Sequence, residues 1–251
     1  MALTETLVVV FVVSLVAAFA VVAKNRLFPV KEDEEPREDV AEYIAMMVSV
    51  LYALVLGLCL VSVWDTRSAA QDTVQAEASA LHQTYLLADA FPAAQKQAMR
   101  NAATAYAAHV VHVEWPLMVD REPLGSSGWN LLAQLRDTST IRGSTSTTGQ
   151  QITSQEVTAQ LSNVDDARRS RESASQDSLS PVLWTGLIIG GVLTLAFMFL
   201  FGIERTTTHV VMVMGLSGFI AFTVLLIHQL DAPFGDLFGA SPTPFTRYFP
   251  V

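Results

Sequence analysis

Four apolar runs dominate this chain. Each, wound as a helix, is about as long as the hydrocarbon core of a bilayer is thick. Crossing that core takes about 20 mostly apolar residues, because an α-helix rises about 1.5 Å per residue. The runs cover residues 7–23, 44–63, 183–203 and 209–227. The first is interrupted only by Ser14 and is closed by Lys24 and Arg26. The second contains Ser49, Tyr52, Gly57 and Ser62 but no charge, and Trp64 and Asp65 end it. Trp184 stands at the start of the third, with Glu204 and Arg205 at its exit, and His228, Gln229 and Asp231 follow the fourth. One such run is compatible with a soluble core; four are not. The expected fold is therefore an all-α membrane protein with four transmembrane helices, its partner the lipid bilayer. Trp64, Trp115 and Trp184 are candidate interfacial aromatics.

Composition narrows the function classes. Charged residues make up 16% of the chain, against about 25% for soluble domains. Fifteen Lys and Arg against 24 Asp and Glu leave a formal charge of −9. A nucleic-acid binder relying on a basic face is thereby disfavoured. Cys59 stands alone, which excludes an intrachain disulfide framework and a cysteine-rich metal site. Residues 1–6 carry Glu5 and no Lys or Arg, while the positive charge follows the first run. That polarity is wrong for a secretory signal, so the run reads as an anchor. The short-loop charges Lys24, Arg26, Lys31, Arg37 and Arg205 share one face, expected to be cytoplasmic. The chain is then a multi-pass cell-membrane protein with both termini and residues 65–181 outside the cytoplasm.

Four parts follow: a first membrane pair with its short loop over 1–64, a polar helical bundle over 65–181, a second membrane pair over 182–230, and a carboxy-terminal tail over 231–251. In the bundle segment no helix breaker occurs before Pro92, and Val74, Ala78, Leu81, Tyr85 and Ala88 recur at helical spacing. The second span therefore continues as one helix. A further helix is expected over 93–115, preceded by Pro92 and ended by Pro116. A shorter one fits 127–136, residues 143–149 read as a loop, and 152–180 is helix-compatible up to a kink or fresh start at Pro181. The bundle is thus built on extensions of spans two and three.

This layout sets a register. Glu77 lies 13 residues beyond Trp64 and Arg171 lies 13 before Trp184, so in antiparallel neighbours the two stand level, with Arg168 one turn away. Glu77 also falls inside its own apolar stripe, and a carboxylate there needs a partner. An inter-helix ion pair between Glu77 and the cluster Arg168, Arg169, Arg171 is the expectation; a solvated Glu77 is the alternative.

Catalytic and cofactor motifs are missing: there is no P-loop, dinucleotide fingerprint, zincin motif or nucleophile elbow. His109 and His112 are one turn apart with Glu114 nearby. On a regular helix Glu114 falls about 140° round from His109, which argues against a metal site. Neither an enzyme nor a cofactor is expected. Gly186, Gly190 and Gly191 form a small-residue face for close helix packing. The run 32–35 reads as a solvated acidic block rather than a cation site. Glu42, His209, His228 and Asp231 all sit at span ends, which argues against a proton-coupled transporter but not against a channel.

The order of these features resembles the bacterial bestrophin-like membrane proteins. The resemblance is carried by Trp64, the Glu77-Ala78-x-x-Leu81 helix, Tyr106 with Glu114-Trp115, Arg168 to Arg171 ahead of Pro181-x-x-Trp184, and Asp231-Ala232-Pro233-Phe234-Gly235. Ala232 departs from the basic residue expected there. Bestrophins are oligomeric anion channels with four membrane helices per subunit around a central pore, and their large domain is cytoplasmic. The resemblance implies a homo-oligomeric ion channel passing small inorganic ions, with Arg168, Arg169 and Arg171 in a vestibule. The rival reading is a membrane sensor or adaptor acting through a partner protein.

Overall fold

The computed structural model describes residues 3–27, 38–140, 147–200, 207–235 and 238–251, and all regular structure among them is helical. The acidic run 32–35, Lys31, Arg37, Gly143, Glu204 and Arg205 lie outside the described residues, as do the side chains of Glu42 and His209. The chain divides into two units, Met1–Trp64 with Leu179–Asp231, and Asp65–Ser178 with Ala232–Val251.

The first unit contains α1 (Leu3–Leu27), the amino-terminal half of α2 (Glu38–Leu87), α7 (Pro181–Leu200) and α8 (Thr207–Leu230). Tyr52, Leu56, Cys59 and Val63 on α2 are buried against Leu187 of α7 and Ile220, Ile227 and Leu230 of α8. Their outward neighbours Leu51, Leu54, Leu58 and Val61, with Ile188, Val192 and Phe219, are as apolar and are exposed. Helices that are hydrophobic all round belong in lipid. Among the described residues Tyr43–Ala90 and Val210–Leu230 are each long and apolar enough to cross a membrane, and three spans result if Thr148–Gln176 with Pro181–Phe197 is one broken span. α1 contributes the shorter apolar stretch Val8–Ala17.

Small residues set the packing here, though not all those expected. A Cβ at Gly190 or Gly191 would run into the Tyr52 ring, whereas Gly186 faces open space. Gly186 therefore takes no part in packing within this unit. Gly218 of α8 meets Ser14 of α1, whose hydroxyl is turned back to the Val10 carbonyl at 2.9 Å.

The second unit is a bundle of the carboxy-terminal half of α2, α3 (Ala93–His109), α4 (Trp115–Val119), α5 (Ser127–Ser139), α6 (Thr148–Gln176) and α9 (Thr243–Tyr248). α6 opens with a reciprocal Thr147–Gln150 capping box. Gly149, expected in a loop, is therefore helical. α6 ends at Gln176 and a new helix starts at Pro181. Between α3 and α4 the helix does not stop at Pro116 but passes through a π-turn, Val110–Glu114. The widened turn shifts the hydrogen-bond register just before Pro116, which then sits in the first turn of α4, where its missing N–H is tolerated.

Residues 232–251 are no free tail. Phe234, Phe245 and Phe249 lie in the bundle core, Ser241 N–H donates to Gln71 Oε1 at 2.9 Å, and the Tyr248 ring stacks on His82 at 4.6 Å. Prolines, glycines and serines between the phenylalanines hide the apolar periodicity in the sequence.

The Tyr52 contact gives a paired expectation. Gly190→Ala should lower thermal stability in detergent by about 1–3 kcal/mol through overpacking, while Gly186→Ala should leave it unchanged. Equal melting shifts for the two would refute the packing role.

Candidate functional site

Two arginines one helical turn apart on α6, Arg168 and Arg171, point into the bundle and have no solvent exposure. A buried guanidinium is tolerable only when its donors meet carboxylates in good geometry. Arg171 Nε donates to Glu77 Oε2 at 2.6 Å. Its Nη2 donates to Glu77 Oε1 at 3.0 Å and to Glu114 Oε2 at 2.8 Å, and Nη1 reaches Met118 Sδ at 3.3 Å. Arg168 grips Glu114 as a fork, Nη1 to Oε2 at 2.8 Å and Nη2 to Oε1 at 2.6 Å. Tyr106 closes the lattice: its hydroxyl donates to Glu77 Oε1 at 2.5 Å and accepts from Arg168 Nη1 at 3.2 Å.

Each partner arrives on a different element. Glu77 comes from α2, Tyr106 from α3, Glu114 from the π-turn, Met118 from α4 and both arginines from α6. α5 contributes a space: a Cβ at buried Gly128 would overlap Glu114 and Arg168. Two carboxylates and two guanidinium groups leave the lattice neutral. Burial pushes the Glu114 carboxyl up, but the hydrogen bond from Arg168 and the charges of Arg171 and Arg168 outweigh it and hold it below the ordinary range. Burial, and then the charge of Glu77, keep the Tyr106 hydroxyl protonated well above its ordinary value.

The sequence-derived candidates separate accordingly. Glu77, Arg168 and Arg171 meet in one lattice, whereas Arg169 is exposed, lies 3.2 Å from Asp166 and faces the Trp129 ring. With their donors on carboxylates and no surface, Arg168 and Arg171 are closed to solvent within the bundle, and Arg169 is the exposed member of the cluster. Trp115 is not interfacial. It is buried in the bundle, its ring edge-on to Phe234 at 5.5 Å. Trp64 is exposed, and Trp184 Nε1 donates to Asp231 Oδ2 at 3.4 Å. Asp231 Oδ1 also accepts the Leu179 N–H at 2.6 Å. Pro233 O accepts from Ala240 N at 2.7 Å, and Gly235 N donates to Ala232 O at 3.0 Å.

The π-turn also changes the histidine geometry. Its extra residue brings Glu114 back round the helix, so that Glu114 Oε1 lies 3.5 Å from His109 Nε2, while His112 is exposed. Among the described residues no group of three or more His, Cys, Asp or Glu is placed to hold a metal. Met118, Gly128 and the π-turn were not anticipated; the segment Val110–Glu114 carries no local signal for a register shift.

A family model described as the Bestrophin-like domain matches residues 10–245. No curated protein matches the chain. Three solved structures share the fold over almost the whole length. A variant of a bacterial bestrophin homolog from Klebsiella pneumoniae superposes with a TM-score of 0.61 at 12% identity, covering 97% of this chain and 95% of that one. A variant described as a membrane protein superposes with a TM-score of 0.61 at 13% identity, covering 98% and 95%. A second variant of the Klebsiella homolog gives a TM-score of 0.51 at 12% identity, covering 98% and 93%.

The lattice predicts its own failure modes. Arg171→Ala leaves the Glu77 carboxylate buried with only the Tyr106 hydroxyl as donor and takes one of two arginines from Glu114, and should destabilise the protein by about 3–5 kcal/mol, measured by denaturation in detergent. Because Glu114 has a lowered folded value, the stability it contributes is complete above the ordinary carboxylate pKa of about 4.3. That stability falls as the pH drops through the folded value. Melting temperature should therefore drop in acid, and Glu114→Gln should flatten that arm of the curve; an unchanged acid arm would contradict the assignment.

Proposed function

Because the chain belongs to the bestrophin-like family, we propose that it forms a homo-oligomeric ion channel of the cell membrane that passes small anions. The observation that carries the reading is the family match over nearly the full length, joined to a fold that covers 95% of a bacterial bestrophin homolog. In this reading each subunit crosses the bilayer four times, with α1, the amino-terminal half of α2, α7 and α8, and the polar bundle lies outside the lipid. Selection is electrostatic and steric: ions are concentrated by surface charge and filtered at an apolar constriction, without covalent chemistry. The exposed Arg169 is the basic side chain of the α6 cluster available to such a vestibule. No catalytic step is part of the proposal, and the anion preference follows the resemblance to bestrophins.

Purified protein reconstituted in planar bilayers should carry current, with a reversal potential near the chloride equilibrium potential under a salt gradient. Silence across salts and pH, together with recovery of one stoichiometric partner chain on affinity purification, would favour the sensor or adaptor reading instead. The short-loop charges support a bundle outside the cytoplasm. Thr158→Cys, on the exposed face of α6, should then react with an impermeant maleimide added to intact cells. Protection until lysis would reverse the orientation.

A further inference from the structure

The neutral lattice carries a titratable group at its rim. His109 ends α3, with a side chain 14% exposed. Its Nε2 lies 3.5 Å from Glu114 Oε1 and 3.0 Å from the hydroxyl of Ser127, the first residue of α5. Glu114 faces the imidazole from the π-turn. Behind it stands Arg168 of α6, whose Nη2 is bonded to the same Oε1 at 2.6 Å. Arg171 of α6 and Glu77 of α2 follow through Glu114 Oε2 and the Arg171 fork. From α5 the contacts are a hydroxyl, Ser127, and Gly128, pressed so close that a Cβ would overlap Glu114 and Arg168. His112, on the same stretch of chain, is exposed.

A neutral imidazole can accept the Ser127 hydroxyl hydrogen at Nε2; an imidazolium has an N–H at both nitrogens and accepts nothing. We propose that His109 is a pH-responsive latch of the bundle. On gaining a proton, its Nε2 turns from acceptor of the Ser127 hydroxyl into donor to Glu114, sharing Oε1 with Arg168, and Ser127 loses the acceptor that tied its hydroxyl hydrogen to α3. The new contact is charge-assisted and therefore stronger than the one it replaces. Arg168 is the group that gives way. Its Nε has no hydrogen-bond partner, so loosening the fork on Glu114 leaves it held by Tyr106 and by its stack on Trp129, 4.9 Å from the ring centroid. One proton thus couples α3, α5 and α6. The latch belongs to the bundle and is independent of whether ions are conducted.

Trp129 is the reporter. In full-length protein in nanodiscs, with Trp64, Trp115 and Trp184 replaced by Phe so that Trp129 is the one indole left, emission should show a reversible one-proton transition. His109→Gln should abolish the transition and His112→Gln should keep it. Ser127→Ala removes a donor that favours the neutral ring, so it should raise the midpoint; this exposed position also serves if His109→Gln does not fold. A flat parent profile, a transition that survives His109→Gln, or a midpoint unmoved in Ser127→Ala overturns the latch.

Discussion

Burying two arginines and two glutamates together is the constraint around which the bundle is arranged. None of the four could remain charged there alone, since the desolvation of a single buried ion costs several kcal/mol. Each is tolerated because the others are in place: Glu114 accepts from both arginines, Arg171 donates to both glutamates, and Tyr106 bridges Glu77 and Arg168. Such a lattice contributes little net stability compared with a well-packed apolar core, but it is unforgiving of misplacement. A one-turn slip of α6 against α2 would leave ions unpaired, so the lattice selects one helix register among many that the apolar stripes would accept.

The π-turn follows from this demand. On an unbroken helix, residues at the spacing of Tyr106 and Glu114 differ by roughly 80° in direction at 100° per residue. Both must reach arginines on the same neighbouring helix. One extra residue per turn over Val110–Glu114 re-aims the carboxylate, and the same shift seats Pro116 where its ring does not break the chain. A local departure from regular geometry, as is common at functional positions, serves both needs.

Much of this was legible in the sequence, and the limits are physical. The pairing of Glu77 with Arg171 comes from counting helical rise from two tryptophans, an inference whose partners meet although the chain leaves the helix between Gln176 and Pro181. It fails for Glu114, because one π-turn between ordinary residues shifts every later side chain by most of a right angle. Apolar periodicity revealed the polar half of α2 but could not reveal Phe234, Phe245 and Phe249, which are held by turns rather than by a repeating face. Gly186 and Gly190 look alike in the chain; only the position of Tyr52 on another helix tells them apart.

α2 shows how one helix serves two solvents. Its buried positions Tyr52, Leu56, Cys59, Val63, Ala70, Val74, Ala78 and Leu81 recur at threes, fours and one seven, a single stripe at coiled-coil spacing along the continuous helix Glu38–Leu87. What changes past Trp64 is the other face, from leucine, valine and methionine to glutamine, threonine and aspartate. From Tyr52 to Leu81 the stripe stays apolar except beside Ala78, where Glu77 enters it. In the apolar half, specificity must come from shape, as with Tyr52 against two glycines, because lipid offers no hydrophobic penalty for a wrong pairing. In the polar half, water would permit many apolar pairings, and charge does the selecting. The carboxylate therefore belongs where apolar packing alone no longer distinguishes one register from the next.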